Sequence, residues 1–241
     1  MNGYNSLAYF YDLFTDDIDY QKTADKLHDL FLKEKHKPEI ILDLGCGTGS
    51  LSFLLQQKGY DMIAVDISED MLLIAREKAE SLNIENILFL QQDAAKLDLY
   101  GTIDACVCNL DVINHITSRE KLLEVFNKVH LFLRPSGLFV FDINTVLKFS
   151  TVFLNNSYIT EKEGTFCAFN TQYSKKSGVC RIDYTFFKED EKGLYERYED
   201  TQRERAYEID EIKDMLKLSG FMNVKVKYSE GNNRALIECK S

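Results

Sequence analysis

Residues 41–51 read ILDLGCGTGSL, an apolar run that ends in the carboxylate of Asp43 and passes into three glycines alternating with small residues. A glycine turn between a strand and a helix lets backbone approach a ligand closely, and the helix N-terminus adds partial positive charge, so phosphate is the usual guest. Here Gly45, Gly47 and Gly49 are spaced G-x-G-x-G instead of G-x-G-x-x-G, and Asp43 stands where it would repel a pyrophosphate. The pattern therefore points to a ligand that is partly cationic. Three further sites of polar chemistry follow apolar runs: Val65-Asp66, the stretch QQDAA around Asp93, and Asn109-Leu110-Asp111.

These groups need a scaffold that brings them to one edge. Uniformly apolar strands are expected at Ile40 to Leu44, MIAVD, NILFLQ, IDACVC and LFVFDI, the last after a turn RPSG. Amphipathic helices are expected at Ser50 to Lys58, Glu69 to Leu82 and Arg119 to Leu133 between them, which makes a parallel sheet covered on both faces. Ahead of this unit, Tyr4, Leu7, Ala8, Tyr11 and Phe14 fall at helical spacing, and a second helix is expected from Tyr20 to Lys35. After Asn144 the period changes to two. In VCRIDYTFFK, Cys180, Ile182, Tyr184 and Phe186 alternate with Arg181, Asp183, Thr185 and Phe187, and the flanking GTFCAFNTQY and LYERYEDTQRERAY read as further strands of a small antiparallel sheet. A helix at Ile209 to Leu218 and strands MNVKVKY and RALIEC close the chain. The expected organisation is one α/β domain of residues 1–145 and 206–241, with an antiparallel β insertion at 146–205.

In an open parallel sheet, ligands bind beyond the carboxyl ends of the strands, near the switch point. Asp66, about 20 residues past the glycine turn, can accept hydrogen bonds from both hydroxyls of a ribose, and Asp93 can meet an adenine amino group. A ligand with adenosine at one end and ammonium at the other, lacking phosphate, fits. S-adenosylmethionine is such a molecule. DLGCGTG, then VD, then QQDA resembles the class I S-adenosylmethionine-dependent methyltransferases over almost the whole chain. That resemblance implies a Rossmann-like, seven-stranded, mostly parallel sheet. It also implies Asp43, Gly45 and Gly47 around the methionine part, Asp66 on the ribose and Asp93 with Ala94 at the adenine, with Cys46, Ile67 and Met71 as further cofactor contacts. Asn109 and Leu110 would close the site, and Tyr11 matches an N-terminal tyrosine that touches the cofactor.

AYFYDLF, VCNLDVINHI and the stretch RERAYEIDEIKDMLKLSGF are similar to methyltransferases acting on small amines, including amino-sugar N-methyltransferases. In that group a histidine follows the fourth strand, and His115 occupies the matching place. An alkylamine is mostly protonated at neutral pH, so a histidine there can act as general base. Tyr9 and Tyr173 are candidates to roof the acceptor pocket, Asn114 to face the acceptor, and Arg203 to bind an acidic group on it. His28, His36 and His130 read as structural.

A net charge of −10 on 241 residues, without a basic block, leaves nucleic-acid binding without its electrostatic drive. NLDV is also not the Asn-Pro-Pro-aromatic motif of base-amine methylation. No apolar run reaches a membrane-spanning length, so a cytoplasmic protein is expected. The six cysteines show no C-x-x-C pair, and no metal is expected. Two rivals remain: a metal-dependent O-methyltransferase using Asp111, Asp142 and Asn144, whose DIN spacing departs from the adjacent acid-amide pair, and a cofactor-binding scaffold. The inserted sheet is a candidate surface for a homodimer.

Overall fold

The structure, a computed structural model, describes residues 6–241; Tyr4 lies outside the described residues. The chain opens with α1 (Ser6–Phe14) and α2 (Tyr20–Leu32), then alternates β1 (Ile40–Leu44), α3 (Ser50–Gln57), β2 (Asp61–Asp66), α4 (Glu69–Ser81), β3 (Ile87–Gln91) and β4 (Ile103–Cys108). Side chains fix the helix starts: Asp19 accepts from the N–H of Lys22 ahead of α2, and Ser68 from that of Met71 ahead of α4. Next come α5 (Val112–His115), α6 (Arg119–Phe132), β5 (Leu133–Asn144) and α7 (Val146–Ser150). The chain then forms β6 (Ser157–Lys162), β7 (Thr165–Ser174), β8 (Val179–Glu189) and β9 (Tyr195–Arg205), and ends with α8 (Ile209–Leu218), β10 (Met222–Tyr228) and β11 (Arg234–Lys240).

The main sheet has seven strands in the order β10-β11-β5-β4-β1-β2-β3, with β11 antiparallel to both neighbours. β1 lies between β2 and β4, so the chain reverses its direction of travel across the sheet there, and the ends of β1 and β4 flank the crevice. Strand parity divides the core in two. Cys106 and Cys108 of β4 pack with Phe126 of α6 and Ile212 of α8 on one face, and Ala105 and Val107 with Phe31 of α2 and Leu55 of α3 on the other.

A separate antiparallel sheet runs β6-β7-β8-β9. Its inner face covers α1, where Phe10 stacks on Phe186 with centroids 4.6 Å apart, and α7, where Phe149 packs with Cys180 and Ile182. Three short elements depart from the sequence reading: β6, α5 and α7 had no expected counterpart. The expected turn RPSG is instead the bulged start of β5. Leu133 pairs with Ile103 but Leu138 with Ala105, and Ser136 sits at φ 63°, so the surplus residues leave the ladder without ending the strand. Among the described residues, no helix is long and apolar enough to cross a membrane.

Candidate active site

Asp43, near the end of β1, is buried and accepts a 2.6 Å hydrogen bond from Ser52 Oγ at the start of α3. Burial, with a smaller push from the Asp66 charge and against the Ser52 bond, raises its carboxyl to about 6. The loop that follows hangs on β2, because the N–H groups of Gly45 and Cys46 both donate to Val65 O, at 2.7 and 3.0 Å. All three glycines have positive φ. Their surroundings differ: a Cβ on Gly45 would lie 2.5 Å from Val112 Cγ1 and one on Gly49 2.8 Å from Phe53 Cζ, whereas on Gly47 it would meet only Tyr11 Cε1 at 4.0 Å among the described residues. Two glycines thus serve packing, and the middle one opens backbone to a ligand.

Asp66 ends β2 and accepts from the N–H of Gly47 at 2.8 Å and of Ser68 at 2.9 Å. Burial raises its pKa against those two bonds. A carboxylate offers about four lone-pair directions, so these bonds leave room for a ribose hydroxyl.

A cavity of about 770 Å³ opens at this edge, lined by Tyr11, Asp43, Gly45, Cys46, Gly47, Asn109 and Leu110 of the expected set, and by Asp142 and Arg234. It continues between α2 and the β10–β11 hairpin, past Lys26, Lys227 and Leu236. Tyr11 is hydrogen-bonded to Tyr20, and burial pushes its hydroxyl pKa well up. The turn after β4 is strained: Leu110 and Asp111 stand at φ 57° and 55°, a region that costs a residue bearing a Cβ roughly 1–2 kcal/mol. Arg234 holds it, with Nη2 2.7 Å from Asp111 Oδ1 and Nη1 2.7 Å from Asp142 Oδ2, while the Asp111 N–H donates to Asp142 Oδ1 at 2.8 Å.

The lining fits the expected cofactor. Asn109 Nδ2 is buried without a hydrogen-bond partner among the described residues, Gly47 leaves its backbone clear, and Asp43 offers a charge for an ammonium. The ribose and adenine candidates lie outside this cavity, toward β2 and β3. Ile67 is exposed, Met71 stands in the first turn of α4, and Ala94 opens a 3₁₀ turn. Asp93 caps that turn through the N–H of Ala95 and pairs with Lys121 at 2.9 Å, which holds its carboxyl below the usual range despite partial burial.

His115 ends α5, with Nε2 4.0 Å from Asp111 Oδ2. Glu204 of β9 joins them: one ligand atom from each of Asp111, His115 and Glu204 lies within 4.8 Å of the other two. Burial, then the charge of Asp111, push the Glu204 carboxyl up, while His115 and the Asn144 bond pull it down.

The four acceptor-side candidates fall elsewhere. Asn114 is fully buried and spends its amide on backbone, donating to Asn144 O and Arg205 O at 3.1 and 2.8 Å and accepting from the Asn144 N–H at 2.8 Å. It is a clamp between α5, β5 and β9, not a free polar group. Arg203 is exposed and stands opposite Arg181 on the outer face of the second sheet; parity turns its neighbour Glu204 inward instead. Tyr9 accepts from Lys188 and stacks on Tyr198, and Tyr173 packs on Phe149 within the apolar cluster of Cys180 and Ile182. Of the oxygens that the metal-dependent rival needs, Arg234 holds Asp111 Oδ1 and Asp142 Oδ2, and Lys148 Nζ donates to Asn144 Oδ1 at 2.9 Å, while Asp111 Oδ2 faces His115.

Sequence reasoning missed Arg234, Tyr20 and Glu204. The two acids at Asp111 and Asp142 signalled that a cation was needed, but nothing in the sequence said which.

A family model described as a methyltransferase domain matches residues 41–137. YqeM of Bacillus subtilis, a methyltransferase by name, is 31% identical over 219 residues, covering 90% of this chain and 86% of that protein. An S-adenosylmethionine-dependent methyltransferase from Clostridium acetobutylicum superimposes with a TM-score of 0.87 at 28% identity, over 96% of this chain and 95% of that one. The S-adenosylmethionine-bound amino pentose methyltransferase of Micromonospora echinaspora shares the fold, with a TM-score of 0.78 at 16% identity over 100% and 98% of the two chains.

Proposed function

The chain belongs to the class I S-adenosylmethionine-dependent methyltransferases, and from that premise we propose that it methylates the nitrogen of a small-molecule amine, with His115 as the proton acceptor. The observation that carries the reading is the approach of His115 Nε2 to Asp111 Oδ2 at 4.0 Å, with Asp111 on the strained turn whose Leu110, like Asn109 before it, lines the cavity. An imidazole beside a carboxylate suits proton removal from a cation, because the carboxylate stabilises the imidazolium that forms. The amino pentose enzyme is a relative in fold only, and its name points to the same acceptor class.

Bound S-adenosylmethionine supplies an electrophilic methyl carbon on a sulfonium that departs as a neutral thioether. The chain has four tasks. Asp43 sets its charge against the cationic methionine end, and Asp66 keeps acceptor capacity for the ribose. Gly47 lets the ligand lie on backbone. His115 takes one proton from the acceptor's ammonium, freeing the nitrogen lone pair for the methyl carbon, and passes that proton to the solvent that reaches its ring. The products are the methylated amine, S-adenosylhomocysteine and one proton. Positioning carries most of the acceleration, since the leaving group needs no acid.

Residues 146–205 act in this reading as the acceptor-side cover of the domain formed by 1–145 and 206–241. The test is a panel of amines, amino sugars and phenols incubated with S-adenosylmethionine and read by mass spectrometry as S-adenosylhomocysteine. Amines should turn over without added metal and despite a chelator; turnover confined to phenols, or abolished by the chelator, rejects the amine reading.

A further inference from the structure

The second sheet sends one carboxylate across to the cofactor domain. Glu204 pairs with Cys180 in the β8–β9 ladder and so shares the inward face of β9; it is only 4% exposed. Asn144 Nδ2 donates to its Oε2 at 3.0 Å. Beside it stand Asp111, from the turn after β4, and His115, whose side chains are 17% and 40% exposed, so solvent reaches the group through the imidazole. Two segments distant in sequence thus converge on one point, and the ligand atoms of Asp111, His115 and Glu204 lie within 4.8 Å of one another.

The charges around that point do not cancel. Three carboxylates, Asp111, Asp142 and Glu204, are set against Arg234 and Lys148. Arg234 spends two nitrogens on Asp111 Oδ1 and Asp142 Oδ2, and Lys148 Nζ is turned to Asn144 Oδ1. Counted as formal charges, one negative is left over, on the side facing His115, and burial opposes it while the seat is empty. A primary ammonium brings one positive charge and three N–H donors. The site offers three acceptors for them: Asp111 Oδ2, the Glu204 carboxylate and His115 Nε2. A divalent ion at the same point would face the two neighbouring cations with twice the charge.

We propose that Glu204 and Asp111 form the seat of the acceptor's ammonium group, so that a residue of the inserted sheet selects amines over neutral nucleophiles. This rests on the amine reading and adds the residue that enforces it. With two N–H groups held by the carboxylates, the third proton goes to His115, and the neutral amine then turns the freed electron pair from the imidazole to the methyl carbon. Glu204 engages the acceptor before the reaction as well as during it, so its loss acts on KM more than on kcat.

The test uses n-butylammonium chloride as a probe of the seat and n-butanol as its neutral counterpart, following the His115 ring proton by NMR in the full-length protein. Butylammonium should shift that signal saturably in the millimolar range, and butanol should not. Glu204→Gln, which can keep the Asn144 bond, should weaken the butylammonium effect about tenfold or more. It should raise KM for amine acceptors to a similar extent while leaving S-adenosylhomocysteine affinity unchanged and the protein no less stable to heat, since a buried carboxylate is removed. Glu204→Asp should restore part of the loss, which a defect in folding would not. Equal butylammonium affinity in Glu204→Gln, or an equal response to butanol, overturns the proposal. So does saturable Mn²⁺ binding that broadens the His115 signal and vanishes in Glu204→Gln, which would make this a metal seat. If the wild type methylates amines and Glu204→Gln keeps its KM, the seat fails and the amine reading stands. If the wild type methylates no amine while Glu204 still governs butylammonium binding, the amine reading fails alone.

Discussion

The N–H of Gly47 donates to Asp66 Oδ2 at 2.8 Å, so the carboxylate at the end of β2 also fixes the loop glycine that faces the cavity. Asp66→Ala removes a ribose acceptor and that restraint together. Calorimetry should show S-adenosylhomocysteine binding weakened by roughly 1.5–3 kcal/mol, the range for hydrogen bonds to a charged group. Hydrogen exchange at residues 45–49 should quicken in the same variant. Unchanged affinity would take the ribose away from Asp66.

The cofactor side of this arrangement was legible because its signals are local. An apolar strand, a terminal acid and a glycine turn lie within eleven residues, and Asp66 and Asp93 each end an apolar run that reads as a buried strand. The acceptor side was not, because its geometry depends on register and on long-range pairing. Arg234 meets Asp142 and Asp111 across 92 and 123 residues of sequence. Choosing Glu204 over Arg203 requires knowing which face of β9 turns inward, and YERYEDTQRER alternates too weakly in polarity to say. The four residues of α5 are too few to show a helical period, and β6 reads SYITEK, with no apolar face to announce a strand.

The glycines should separate by function. Gly45→Ala sets a Cβ 2.5 Å from Val112 Cγ1 at φ 77°, and thermal or urea unfolding should show a loss of about 2 kcal/mol or more. Gly47→Ala meets open space and pays only for its φ of 54°, about 1–2 kcal/mol. It should stay folded and lose cofactor affinity, since the methyl group intrudes where the ligand must lie. Normal cofactor binding by Gly47→Ala would place the ligand elsewhere in the cavity.

Asp43 links pH to both stability and binding. Its carboxyl stands at about 6 in the folded protein against 3.8 as a free side chain, so the folded state holds an extra proton between those values. That contribution is complete below about pH 3.8 and is lost as pH rises through about 6. At mildly alkaline pH the ionised, buried carboxylate therefore burdens the apo protein. Asp43→Asn should raise apo stability there by up to about 3 kcal/mol, a gain that fades on acidification. Cofactor affinity should move the opposite way, falling in Asp43→Asn above about pH 6 and in the wild type as pH drops through that value, so that the two converge in acid. A wild-type affinity flat across that window would remove Asp43 from the methionine end.

His115 joins position to mechanism. Its imidazole is 40% exposed and its nearest acidic atom, Asp111 Oδ2, is 4.0 Å away, so the ring can be removed without opening the core. His115→Ala should leave S-adenosylhomocysteine affinity intact and lower turnover on an amine by about 10²-fold or more, the scale of general-base catalysis. Raising the pH should recover much of that loss, because solvent then deprotonates more of the acceptor. If His115 instead only holds the acceptor in place, the defect should sit in KM and persist at high pH. Wild-type kcat and KM in His115→Ala would make the residue structural and remove the base from the mechanism. The cofactor assignment would stand, since Asp43 and Asp66 take their hydrogen bonds from Ser52, Gly47 and Ser68.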